Sequence, residues 1–137
     1  MPRDHRPARS LRVLLNSADA AALAVQLTLR PDIEVVARVA PGEDPRPAAQ
    51  AGRPEVALVE DLAAVAALAA ELPDCRTVLL AGSARPGLAA AALAAGAAGL
   101  LLRDGPVEEL AAALRRVSMG ETVVDPALDP PEAAPAP

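Results

Sequence analysis

The chain has 137 residues, which is enough for one domain built around one core. Hydrophobic residues make up 53% of it, yet Phe, Tyr and Trp are absent, so Leu, Val and Ala must fill the interior. Net charge is −5, and the only basic cluster is Arg3, Arg6, Arg9 and Arg12, so no folded segment carries the basic stripe of a nucleic-acid binder.

Residues 1–9 are rich in Pro and Arg and read as an unstructured tail. The start, MPRDHRPARS, has no apolar region of the kind a secretion signal needs. The first strand is expected at 11–15 (LRVLL), with Arg12 on it. Ser17 can cap the helix expected over 18–29, which Pro31 stops. A second strand follows at 33–39, marked by Val35 and Val36. The stretch PGEDPRPAAQAGRP is laden with Pro and Gly and leaves room for a helical turn or two at 47–51. The third strand, 56–59, ends at Glu60, and a helix over 62–72 closes at Pro73. The fourth strand is expected at 77–80 and the fourth helix at 86–95, with Gly96 in the C-terminal role. The fifth strand is expected at 100–102. The last helix spans 107–119, with Glu108 and Glu109 in its first turn and Arg115 and Arg116 near its end, charges that suit the helix dipole. Residues 126–137 are Pro/Ala-rich, like a linker, which leaves 10–125 as the expected domain.

Most of these strands are near-continuous apolar runs, the pattern of strands covered on both faces, and they alternate with helices. A doubly wound α/β fold with a central five-stranded parallel sheet is therefore expected. No apolar run is long enough to span a membrane. The lone Cys75 cannot form an internal disulfide, which suits a reducing, cytoplasmic setting, and it reads as an inert loop or part-buried thiol. His5 has no second His or Cys near it, so no metal site is expected there. Ser83 has no His partner in the folded part, so a Ser-His nucleophile is excluded. AGSARPG lacks the Gly-Lys-Ser/Thr ending of a phosphate loop and reads as a strand-to-helix turn.

In this order, LRVLL, RPDIEVVARVAPGE, RPEVALVE, CRTVLL, AAGAAGLLLRDGPVEELAAALRRVSMGE and VVDPAL resemble the receiver domain of NarL/FixJ-type response regulators, over about residues 10–128. The resemblance implies a flavodoxin-like sheet in the order 2-1-3-4-5 with its site at the carboxyl ends of the strands. It also implies four parts of that site. Two acidic residues after the first strand hold Mg²⁺, and an Asp ending the third strand accepts a phosphoryl group. A Ser or Thr ends the fourth strand and a Lys ends the fifth. Carried onto this chain, the acidic pair falls on Ser17 and Ala18, the phosphoacceptor on Glu60, the hydroxyl on Ala81 and the Lys on Arg103. The switch aromatic before the fifth strand falls on Leu100. Asp19 lies one position beyond the pair and decorates the first helical turn. Asp61 becomes the acceptor only by a one-residue slip, which turns a strand's side chains to the other face. The loop that normally follows the acceptor is missing.

Every placed position differs from the family pattern, so a degenerate receiver, or pseudo-receiver, is expected. It is not an enzyme, Mg²⁺ binding is not expected, and it acts through a protein partner or a homodimer. The family's contact surfaces are the helix 4–strand 5–helix 5 face and the helix 1–helix 5 face. Glu60 reads either as a stand-in for a phosphorylated Asp or as a partly solvated carboxylate facing Arg103. Two alternatives stand beside this. The chain is the receiver half of a LuxR-type regulator whose helix-turn-helix lies beyond it, or the strand-end crevice takes a small-molecule ligand.

Overall fold

The apolar runs form strands because parallel strands covered by helices bury both faces. The computed structural model describes residues 10–128. The expected tail at 1–9, with Arg3, Arg6, Arg9 and His5, and the segment 129–137 lie outside the described residues. In chain order the elements are β1 (Leu11–Asn16), α1 (Ala20–Thr28), β2 (Ile33–Val39), α2 (Arg46–Gly52), β3 (Val56–Val59) and α3 (Leu62–Glu71). Then come β4 (Arg76–Ala81), α4 (Leu88–Ala95), β5 (Ala97–Leu102), α5 (Val107–Ser118), β6 (Val123–Val124) and a 3₁₀ turn, Pro126–Leu128. The sheet order is β2-β1-β3-β4-β5-β6, and every pairing is parallel. The flavodoxin-like order 2-1-3-4-5 is present, extended by a sixth strand of two residues.

The two-residue period of a strand splits the core into two layers. Val13, Leu15, Leu58, Val78 and Leu80 face α1 and α5, where they meet Leu27, Leu114 and Val117. Leu14, Ala57, Val59, Leu79 and Leu100 face α2, α3 and α4, against Ala49, Val65, Leu68 and Ala92. With no aromatic ring to fill space, Ala lets α3 and α4 approach the sheet closely, and each buried Leu or Val contributes about 1.5–3 kcal/mol. Among the described residues no helix is long and apolar enough to cross a membrane.

Several boundaries differ from expectation, each for a local reason. The weak second helix forms over seven residues, since Pro47 near its start lacks only an N–H that has no partner there. Helix α4 begins at Leu88, two residues late, because Gly87 is left-handed at φ +81°. Strand β5 begins at Ala97, recruited by pairing with Thr77 of β4 despite its Ala-Ala-Gly start. The expected tail boundary at residue 126 is corrected. Asp125 N–H donates to Leu100 O at 2.8 Å and Asp125 Oδ1 accepts from Ala127 N–H at 2.9 Å. These bonds turn the chain so that Leu128, 1% exposed, enters the α3/α4 layer of the core.

Candidate functional site

In an all-parallel sheet, every strand delivers the residue after its carboxyl end to the same edge. The register brings Asn16 of β1 beside Val59 of β3, so the next residues, Ser17 and Glu60, are neighbours. Ala81 pairs with Leu102, which places Arg103 one step further along the same edge. Asn16 is buried and anchors this end of β1, donating from Nδ2 to Val39 O at 3.3 Å and Ala40 O at 2.9 Å.

Glu60 is the centre of the edge. Ser17 Oγ donates to Glu60 Oε2 at 2.5 Å, the length of a charge-assisted bond. Arg103 Nη1 stands 3.8 Å from Glu60 Oε1, an ion pair longer than a hydrogen bond. The Glu60 side chain is 17% exposed and that of Arg103 40%, so the pair is part-shielded, with the cation on the wetter side. Ser17 Oγ also accepts from Asp19 N–H at 3.0 Å, so the hydroxyl works as donor and acceptor at once. This corrects the expectation that Ser17 caps the first helix. The N-cap position of α1 is Asp19, without a side-chain cap bond.

Asp61 caps a helix. Its backbone is extended at the N-cap of α3, and Oδ1 accepts from Ala64 N–H at 2.7 Å, satisfying one of the free donors at the helix start. Ala18 is exposed, and Leu100 is fully buried in the α3/α4 layer. The structure thus gathers Ser17, Glu60, Ala81 and Arg103 at one edge and leaves Ala18 and Leu100 outside the contact. Beside them opens a cleft of about 390 Å³, bounded by the starts of α3 and α4 and by Arg103. Gly82 is a residue the sequence reading passed over. A Cβ there would lie 3.1 Å from Arg103 Nη2, so the guanidinium crosses the end of β4 where the backbone is bare. A glycine directly after the fourth strand was the available signal.

A doubly wound parallel sheet with a carboxylate and a cation meeting across its carboxyl ends defines a flavodoxin-like, receiver-type domain. The comparisons make the class narrower. No protein-family model matches the chain. The chain is 37% identical over 112 residues to the transcriptional regulatory protein DesR of Bacillus subtilis (strain 168), a match that covers 78% of this chain and 56% of DesR. The chain therefore spans a little over half the length of that relative. The signal receiver domain of the response regulator NarL from Mycobacterium tuberculosis superposes with a TM-score of 0.73 at 25% identity, covering 82% of this chain and 99% of that one. A two-component response regulator of the LuxR family from Aurantimonas sp. SI85-9A1 shares the fold with a TM-score of 0.75 at 17% identity, over 87% and 92% of the two chains. The chain belongs to the receiver domains of NarL/LuxR-type response regulators.

Proposed function

We propose that this receiver domain signals through protein contacts without taking up a phosphoryl group. The observation that carries the reading is Glu60. At the acceptor position stands a carboxylate already held by Ser17 Oγ at 2.5 Å and faced by Arg103 at 3.8 Å. The donor set supports it. A hard divalent cation wants several oxygen ligands, and the edge offers two engaged carboxylates, Glu60 and Asp61, one engaged hydroxyl and the methyl of Ala18. Among the described residues no group of three His, Cys, Asp or Glu side chains could hold a metal. The residues present do not fit Mg²⁺.

Two surfaces support a binding role. Val25 on α1 and Leu29, which caps the end of that helix, are exposed, and so is the outward face of α4, Ala90, Ala91, Leu93 and Ala94, which bears no charge. The partner on either is a second copy or another regulator. DesR carries the name of a transcriptional regulatory protein and this chain spans 56% of it, which favours a role as the regulatory part of a transcription factor. The test is intact-mass measurement after incubation with acetyl phosphate and Mg²⁺, alongside light scattering to find the oligomeric state. No phosphoryl adduct is expected; an adduct on Glu60 or Asp61 sinks the reading.

A further inference from the structure

The cleft at the carboxyl edge carries more hydrogen-bond donors than the Ser17–Glu60–Arg103 tie uses. Arg103 has five N–H donors on its guanidinium, and among the described residues its side chain makes one contact with an acceptor, the 3.8 Å ion pair to Glu60. Arg85, which lines the same cleft, makes no ion pair or side-chain hydrogen bond among the described residues, and Ser83 beside it adds a hydroxyl. The two acids that line the cleft are engaged. Glu60 gives one oxygen to Ser17, and Asp61 caps α3. Two guanidiniums therefore border one cleft together with two carboxylates, Glu60 and Asp61, and Arg85 is paired with neither among the described residues.

Apolar side chains complete the lining. Leu62 at the start of α3 and Leu88 at the start of α4 stand along its sides, and Ala81 leaves its floor open. At about 390 Å³ it lies within the range of small-ligand sites. A guanidinium fork matches a planar carboxylate in two parallel hydrogen bonds.

We infer that this cleft binds a small organic carboxylate, its charged end received by Arg103 and Arg85 and its short apolar body lying against Leu62 and Leu88. The inference rests on the phosphorylation-independent reading, because a phosphoryl group at this edge would claim the same Arg103. Gly82 matters to it, since any side chain there crowds the Arg103 guanidinium at 3.1 Å.

The experiment is calorimetric and NMR titration of the full chain with benzoate and isovalerate, with benzyl alcohol and inorganic phosphate as controls at matched ionic strength. Saturable binding of a carboxylate is expected, with amide shifts at Gly82 and Ser83 and binding at least ten-fold weaker for benzyl alcohol and phosphate. Arg103→Gln should weaken binding at least ten-fold. Arg85→Gln, which leaves the Glu60 tie intact, should weaken it at least three-fold and guards against a folding defect in the first variant. The inference is overturned if neither carboxylate saturates, if benzyl alcohol or phosphate binds as well, or if both Arg variants bind like the parent. Intact mass after acetyl phosphate reports on phosphorylation separately, so failure of one conclusion is distinguishable from failure of the other.

Discussion

Leu128 packs into the core beyond the last strand, and Leu128→Ala should destabilise the domain measurably. Its side chain is 1% exposed and belongs to the core layer that contains Leu88, Ala89, Ala92 and Leu100. The substitution removes three carbons at about 0.8 kcal/mol each, or about 2.4 kcal/mol of transfer free energy. A cavity adds to this, for a usual range of about 2–5 kcal/mol. A short 3₁₀ turn can shift to fill part of the gap, so the expected loss is at the low end, about 2–3 kcal/mol. The assay is urea unfolding followed by far-ultraviolet circular dichroism, because the chain has no Trp or Tyr to report by fluorescence. Deleting residues 126–137 should cost at least as much. A loss below about 0.5 kcal/mol, with the slope of the transition unchanged, would refute the placement of Leu128 in the core.

Gly96 ends α4 with φ +109°, and a Cβ there would sit 2.7 Å from the Cβ of Ala69. Gly96→Ala should therefore lose about 1–3 kcal/mol through strain and overlap together. Gly120→Ala, at φ +99° but facing only the mobile end of Arg76 at 3.7 Å, should lose less; equal losses in urea melts would dismiss the overlap. Asp32 accepts two hydrogen bonds from Arg115, Nε to Oδ2 at 2.7 Å and Nη2 to Oδ1 at 3.1 Å, which hold its carboxyl below the ordinary 3.8. A depressed pKa means stability that is present above pH 3.8 and lost as pH falls from there through the folded value, so Asp32→Asn should flatten that part of the acid limb. Both side chains are over a third exposed, so the effect is small and fades in salt, and an Asn variant with an unchanged acid limb would contradict it. Burial pushes the Cys75 thiol up to about 11 from 9.0, which lowers its thiolate fraction about 100-fold at neutral pH. Iodoacetamide should accordingly modify the folded chain far more slowly than the urea-unfolded one, and equal rates would place the thiol at the surface.

The sheet was legible because its chemistry is local. Val56–Val59 and Val78–Leu80 are apolar on both faces and bounded by Pro, Gly and charge, so strand and burial read from the same letters. Strand β6 was not, because two residues have no period of their own and pair only because β5 presents its edge. Leu128 was hidden for the same reason, as one apolar residue in a Pro-rich stretch that only tertiary contact identifies as core. At the site, the facing of Glu60 and Arg103 follows from counting strand ends, and the structure places them 3.8 Å apart. The Ser17 bond to Glu60 does not follow from that count. Local sequence offers Ser17 a helix cap, and only the register of β1 on β3 offers it a carboxylate 43 residues away.

The strand-end residues make sense as one electrostatic set. The family pattern of three acids and one Lys leaves an excess of negative charge at the edge that a divalent cation balances. Here Ser17 and Ala18 bring no charge, Glu60 faces Arg103, and Asp61 and Arg85 line the same cleft, so positive and negative side chains are matched in number there. The changes also fit one another in shape. Arg103 has a wider head than Lys, and Ala81 with the bare backbone of Gly82 supplies the room for it across the end of β4. Ser17 adds a short hydrogen bond to the other oxygen of Glu60, Oε2. Acids at Ser17 and Ala18 would place one carboxylate against Glu60 and a second on the exposed side nearby, with Asp61 still bound to the start of α3. Such a double variant should lose stability in low salt and regain it as ionic strength rises, and a salt-independent variant would break the charge-balance argument.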